Sequence, residues 1–536
     1  MNGLRAALLV LGVAVAGFAV ATPGLAQTTA PLPAGLAAQF RATAEQRGPA
    51  ALLQELDQTL KANPALAASP DSAVALARVA AEPVSLLRGA NTPVYRDIIN
   101  HIIAAAPAEN RDAVAKAVIA EVSGLALAET GPASQSPYVQ VPLPRGEEFV
   151  RPEMKPQKTK ERVPAMGIEV GPFLVLPEVQ IAEFYDNNIF ATSNSKKSDF
   201  VTVISPHVLA ESKGARHKVD LEGHIDATRY RDHGSEDSDD FRVNGEGQYD
   251  LTTATQVYGG LLYLRAHEDR ESPDDVNGIE PTVYHESRAY AGASQQISNW
   301  TLRAGGTAER LTFRDTQTTL GTFNNADRDR IHYTAGAYAG YQLNEVFTPY
   351  VEALGDFRRY DNTRDDSGFA RDSNGYRIDV GSKVKLSGKL DGEAYVGYMT
   401  QDYDDARFST VNALAYSGNL RWRALPPTLI TAYVDRSIEE TTLFGASSYL
   451  YSSLGLTVEQ TLTEKLLLTL RGSVGQSKFQ DIARTDDDYD TGFGLRYLIN
   501  RYFYVAGDYR YQRRTSSVVG VDYNRNEVFL RVGAQY

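Results

Sequence analysis

Between Val219 and Ala227 apolar and polar residues alternate without a break. Val219, Leu221, Gly223, Ile225 and Ala227 fall on one parity, and Asp220, Glu222, His224 and Asp226 on the other. A repeat of two belongs to extended chain, whose successive side chains point to opposite faces, so the segment predicts a strand with one apolar and one polar side. The same holds for Phe241, Val243, Gly245, Gly247 and Tyr249, for Ile331, Tyr333, Ala335, Ala337, Ala339 and Tyr341, and for Tyr376, Ile378 and Val380. Such strands continue from about Val175 to Tyr536. So many exposed apolar faces would make a soluble protein aggregate. In a membrane they face lipid while the polar parity lines a closed interior.

The connections carry a second, independent signal. Short turns at Leu251 to Thr255, Ile297 to Trp300, Gln342 to Val346, Ser387 to Lys389, Leu425 to Thr428, Thr461 to Lys465 and Ile499 to Arg501 alternate with long polar loops. The long ones are Asp232 to Asp240, His267 to Thr282, Asp315 to Arg328, Asp361 to Ser373, Glu439 to Ala446, Lys478 to Asp488 and Arg513 to Asn524. Short turns on one side and long loops on the other are the asymmetry of bacterial outer-membrane barrels. The fold class is therefore mainly β, an antiparallel transmembrane β-barrel over residues 171–536. Counting between breaks gives about eighteen strands, with sixteen as the alternative; either even count leaves both barrel ends on the periplasmic side.

Residues 27–130 follow a different period. Leu52, Leu53, Leu56 and Leu60, and then Ile98, Ile99, Ile102 and Ile103, recur at helical spacing, with breaks at Pro49, Pro64, Pro70, Pro83, Pro93 and Pro107. Four or five short helices in a small periplasmic module are expected. Residues 131–170 read as a Pro-rich linker, because Pro132, Pro137, Pro142, Pro144, Pro152, Pro156 and Pro164 alternate with charged residues in a composition that buries no core. Residues 1–26 read as a signal peptide: Arg5 precedes the apolar run Ala6 to Ala21, and Pro23, Gly24, Leu25 and Ala26 end in small residues.

Composition refines this picture. The chain has no cysteine, so an exported protein of this sequence is held by pairing and packing rather than by disulfides. Its 30 Tyr against 19 Phe and 2 Trp suit membrane interfaces, where a ring is apolar and its hydroxyl stays wet. The formal net charge of −13 argues against nucleic acid as a partner. The eight His are scattered, and no Gly-x-Ser-x-Gly elbow or phosphate loop is present, so neither enzyme activity, metal nor cofactor is supported. The acidic runs Glu236 to Asp240 and Asp486 to Asp488 match no EF-hand spacing and read as solvated loop charge.

Two motifs carry a resemblance. Tyr185-Asp186-Asn187-Asn188-Ile189-Phe190, followed by Ser205-Pro206, His217 and Tyr230, resembles the outer-membrane β-barrel porin 2 family over about 360 residues of barrel. The terminal set Val528, Leu530, Val532, Ala534 and Tyr536 resembles the signal read by the barrel-assembly machinery. The family resemblance implies an association with exopolysaccharide production or export. Read from the residues themselves, the polar parity carries Arg242, Arg303, Glu309, Glu352, Arg358, Arg377, Arg421, Arg471, Arg496, Arg510 and Arg531 as the expected pore lining. Such a wall serves either as cross-strand ion pairing that fills the interior or as planar donors and stacking faces for sugar hydroxyls and carboxylates. The expected partners are membrane lipid and lipopolysaccharide, the assembly machinery, a polysaccharide and a periplasmic export partner. A closed structural or adhesive barrel is the alternative. With Ala337 and Val380 toward lipid and Tyr338 and Arg377 toward the lumen, Ala337→Arg is the expected costly substitution and Arg377→Ala the tolerated one.

Overall fold

A computed structural model of the chain describes residues 32–81, 92–118 and 167–536, apart from positions 34, 48, 109, 112, 116, 213, 215, 216, 319, 320, 387, 388 and 426. The signal-peptide reading, and all of the linker reading before residue 167, lie outside the described residues.

In the N-terminal part, α-helices run over Leu36–Arg47, Pro49–Ala62, Pro70–Ala81 and Thr92–Ala105, with a 3₁₀ turn at Pro64–Ala67. The prolines expected to break helices instead begin them: Pro49, Pro64 and Pro70 are first residues, where a missing N–H costs nothing and the fixed φ suits the turn. The helical spacing noted above buries Leu52, Leu56 and Leu60 together with Ile98, Ile99 and Ile102 in one apolar core. None of the described helices is long and apolar enough to cross a membrane.

The strands are β1 (Ile168–Val170), β2 (Phe173–Asp186), β3 (Asp199–Ser212), β4 (His217–Tyr230), β5 (Ser238–Asp250), β6 (Thr255–His267), β7 (Val283–Ile297), β8 (Trp300–Phe313), β9 (Thr316–Thr318), β10 (Gly321–Phe323) and β11 (Arg330–Tyr341). They continue as β12 (Phe347–Tyr360), β13 (Ser373–Leu386), β14 (Leu390–Tyr403), β15 (Val411–Leu425), β16 (Thr428–Glu440), β17 (Ser448–Thr461), β18 (Leu466–Phe479), β19 (Thr485–Leu498), β20 (Phe503–Ser516) and β21 (Tyr523–Gln535). β9 and β10 form a hairpin within the loop after β8, and β1 folds back on the start of β2. The other eighteen pair antiparallel with their neighbours, and β21 pairs with β2, from Glu178 opposite Gln535 to Asp186 opposite Glu527. The sheet is thus a closed barrel of eighteen strands with no free edge.

Each barrel strand has 12 to 15 residues, a contour of about 40 to 50 Å, which at the usual tilt covers an apolar band of roughly 25 Å with wet margins. The two parities separate as expected. Ile225, Val243, Tyr333, Ile378, Val380 and Leu530 stand exposed on the outer wall, and Tyr338, Glu352, Asp379 and Arg531 are buried on the inner one. Two expected loops prove shorter than read. β18 runs on to Phe479 and β19 starts at Thr485, while β20 reaches Ser516 and β21 starts at Tyr523. The charged residues there are strand residues whose partners stand opposite them on the next strand, which the composition of a single segment cannot show.

Candidate functional site in the barrel interior

The inner wall is a field of arginines and carboxylates laid over tyrosine rings. On one sector the Arg377 guanidinium lies 2.6 Å from Asp379 and 3.3 Å from Glu352, and 4.9 Å above the Tyr395 ring. Next to it Arg303 and Lys383 flank Tyr338 at 5.0 and 5.3 Å from the ring centre, and Arg288 bridges Glu286 and Glu309 at 2.7 and 2.8 Å. On the opposite sector Arg510 holds Asp490 at 2.5 Å and Glu527 at 3.5 Å, and Arg531 pairs with Asp508. Arg496 lies 3.8 Å over Tyr504. Arg471 stands against Gly492 of the neighbouring strand. Arg421 reaches Asp391 at 3.3 Å, and Arg242 sits exposed in the row next to His224.

The tyrosines lie along the wall because glycines make room for them. Tyr258 faces Gly292, Tyr290 faces Gly260, Tyr350 faces Gly381, Tyr433 faces Gly455 and Tyr504 faces Gly533, each directly across a strand pair. A Cβ on any of these glycines would overlap the ring opposite. Tyr504 uses the room to cross over β21, and its hydroxyl donates to Glu178 at 2.8 Å and lies 3.1 Å from Gln180, both on β2.

Arg358 lies at the loop end. It pairs with Asp356 at 2.9 Å and with Glu440, which also accepts from the Tyr360 hydroxyl. It belongs to a set of buried ion pairs that tie the loops together across the mouth, and residues 268–282, between β6 and β7, are central to that set. Glu268 takes a two-pronged contact from Arg328 at 2.6 and 2.9 Å, and Arg270 clasps Glu236 at 2.6 and 2.7 Å. Glu271 accepts from Arg525 on β21. Asp274 accepts from the Thr441 hydroxyl at 2.7 Å and the Thr442 N–H at 2.9 Å, in the loop between β16 and β17. That loop stands nearly opposite in the ring of eighteen, so residues 268–282 cross the mouth from wall to wall. Burial pushes the Glu271 carboxyl up to about 8 against the lowering influence of Arg525, and pushes Asp275 up to about 7 against that of Arg270.

The acidic runs read as solvated loop charge are partly embedded. Glu236 is the partner of Arg270, Asp486 faces Arg484 at 2.6 Å, and Asp488 faces Arg514 at 2.7 Å. Among the described residues no group of three or more His, Asp or Glu is arranged to hold a metal ion.

The Tyr185 to Phe190 motif sits at the seam where the first and last barrel strands meet. The Asn188 N–H donates to the Asp186 carboxylate at 2.7 Å, and the Asn188 amide donates to the Thr192 carbonyl at 2.9 Å and the Asn524 carbonyl at 3.0 Å. Asn187 accepts from the Asn526 N–H at 2.8 Å. Ile189 is buried, the Phe190 ring packs edge-on against His233, and Tyr185 packs against Phe200 on the outer wall. Val528, Leu530, Val532 and Tyr536 are exposed on the outer face of β21, and Ala534 pairs with Val179.

The inner-wall arginines include Arg288, which sequence reasoning missed although it shares the alternation of β7. Sequence reasoning also missed the mouth residues Glu268, Arg270, Glu271, Arg328 and Arg525. Those in loops obey no period, so only their opposite charges could have suggested pairing, without saying which with which, whereas Arg525 lies on the inner parity of β21.

The family model for beta-barrel porin 2 matches residues 163–536 of this chain. No curated protein matches it. Among solved structures, it is similar to Pseudomonas aeruginosa OccK3 (OpdO) at 12% identity, covering 68% of this chain and 95% of that one, with a TM-score of 0.36. OpdL from the same organism is similar at 14% identity, covering 68% and 98%, with a TM-score of 0.35. Acinetobacter baumannii OccAB3 is similar at 12% identity, covering 68% and 99%, with a TM-score of 0.37.

Proposed function

This chain belongs to the beta-barrel porin 2 family, and on that footing we propose that it is an outer-membrane channel or export component for a polar saccharide, an exopolysaccharide above all. The observation that carries the substrate class is the pairing of cations with tyrosine faces on the inner wall: Arg377 on Tyr395, Arg303 and Lys383 on Tyr338, and Arg496 on Tyr504. A sugar presents an apolar face to a ring and hydroxyls or carboxylates to planar donors, and these pairs hold both kinds of group together on the wall, the rings lying covered beneath the cations. The wall carries charge of both signs in contact, so it suits an uncharged or weakly acidic chain better than a simple ion. In this reading the helices of residues 27–130 are the periplasmic docking module for an export partner, and β21 presents the assembly signal.

The second reading, a non-conducting structural or adhesive barrel, is favoured by the loop that crosses the mouth on buried ion pairs. Planar-bilayer recording separates the two. Discrete conductance steps, interrupted briefly when acidic or neutral oligosaccharides are added and interrupted less in Tyr338→Ala, are expected of the saccharide channel. Steps indifferent to any oligosaccharide would remove the substrate class, and silence would favour the closed barrel.

A further inference from the structure

The outer wall near the loop end carries a row of cations that the interior does not use. Arg229 follows Ile225 on the outer parity of β4 with Arg231 just past its end, Arg265 follows Leu261 and Tyr263 on β6, and Arg310 follows Ala308 on β8 with Arg314 just past its end. Arg265 stands in register with His285 on β7, whose Nδ1 lies 3.0 Å from the Tyr263 hydroxyl, and the Arg314 N–H bonds the Val283 carbonyl next to it at 2.8 Å. Of the carboxylates on this rim, Asp237 and Asp239 engage Arg229, and Asp329 and Asp361 face Arg310. None of them pairs with Arg231, Arg265 or Arg314 among the described residues. Arg265 instead donates to the Asp239 backbone carbonyl, and Arg231 lies 5.6 Å over the exposed Phe200 ring.

Immediately below this row the wall is shallow. Ala289 is opposite Ala308, Ala291 opposite Gly306, and Gly306 in turn opposite Ala335, so β7, β8 and β11 share a facet of small side chains. On β6 the larger Leu261, opposite Ala289, borders it at 68% exposure, while on β12 the facet runs on to Gly355, opposite Ala335. Arginines on an outer barrel wall are tolerated only near the membrane boundary, which fixes the level of the row at the outer-leaflet headgroups. A guanidinium pair without carboxylate partners is matched to phosphate, which it binds in two-pronged fashion.

We propose that Arg265 and Arg314, with His285 between them, bind a phosphate of a phosphorylated glycolipid of the outer leaflet, lipopolysaccharide in kind, whose acyl chains lie in the recess of Ala289, Ala291, Gly306 and Ala335. The site holds a specific lipid against one sector of the wall. This inference rests on the barrel lying in the outer membrane, and it is independent of whether the barrel conducts.

The full chain, purified from outer membranes in mild detergent, is examined by native mass spectrometry for retained lipopolysaccharide. The wild type is expected to keep it, and R265A/R314A to retain roughly thirtyfold less, as expected for two cations removed from a lipid-headgroup contact. Ala291→Trp, which fills the recess and leaves every arginine in place, is expected to lose it as well. Both variants should stay heat-modifiable and conduct as the wild type does, so a barrel that never conducts affects the channel reading alone. Equal retention in R265A/R314A overturns the proposal. A changed number of chains per particle at unchanged lipid also overturns it, by showing that the facet is a subunit contact.

Discussion

At the scale of single residues, what decides the cost of a substitution in this barrel is what the side chain leaves behind. Arg377 was expected from its sequence position to be dispensable for folding, on the view that a lumen residue meets water. Its partners Asp379 and Glu352 have side chains with no exposure, and Arg377 contacts both. Arg377→Ala is therefore predicted to destabilise the barrel by roughly 3 kcal/mol, the scale of breaking a buried pair. Ala337, exposed on the lipid wall, should cost about 2 to 4 kcal/mol as Arg near the midplane. Urea unfolding in lipid vesicles checks both, and an Arg377→Ala barrel as stable as the wild type would mean that its carboxylates are hydrated in the lumen. The side a residue faces was legible because parity is a local property: Tyr338 and Arg377 read inward, and Ala337 and Val380 outward. How tightly each inward residue is held was not legible, since its partners lie one strand away and dozens of residues off in sequence.

At the scale of elements, the strands were readable and the loop between β6 and β7 was not. Alternation and turn chemistry located the barrel strands within a few residues, failing where charged strand ends such as Asp486 to Asp488 resembled loop, and missed the short β1, β9 and β10. Residues 268–282 have no period, and their path across the mouth depends on Arg328, Glu236, Arg525 and Thr441, which come from four other segments. A docked loop with Glu271 raised to about 8 and Asp275 to about 7 holds its protons more tightly than an undocked one, whose carboxyls have ordinary values of 4.5 and 3.8. Docking is thus at full strength below the ordinary carboxyl range and weakens as pH rises through 7 and 8. Amide hydrogen exchange corrected for its intrinsic pH dependence should show protection of residues 268–282 falling between pH 6 and 9 while the barrel strands keep theirs. Protection that stays flat over that interval would mean that Glu271 is held as an anion by Arg525.

At the scale of the whole molecule, the ring closes by strand pairing alone, so the helical part should be separable from it. A chain lacking residues 27–130 is predicted to insert and to run as a heat-modifiable barrel, because the eighteen strands pair with one another all round the ring within residues 173–535. Failure of that chain to insert after normal export would place the helices in the assembly pathway instead of in docking. Eighteen strands were countable from the sequence because each boundary repeats the same signal, whereas the seam was not, since nothing local says that Glu178 will stand beside Gln535. The seam also makes the barrel all-or-none in time. β21 is the last of the barrel strands to leave the ribosome, and it is the partner that β2 has waited for since the beginning. A product cut short before Tyr523 leaves raw backbone on both β2 and β20, each unpaired group costing several kcal/mol in lipid. An incomplete copy is therefore barred from becoming a leak in the membrane, and the order of synthesis itself acts as proofreading.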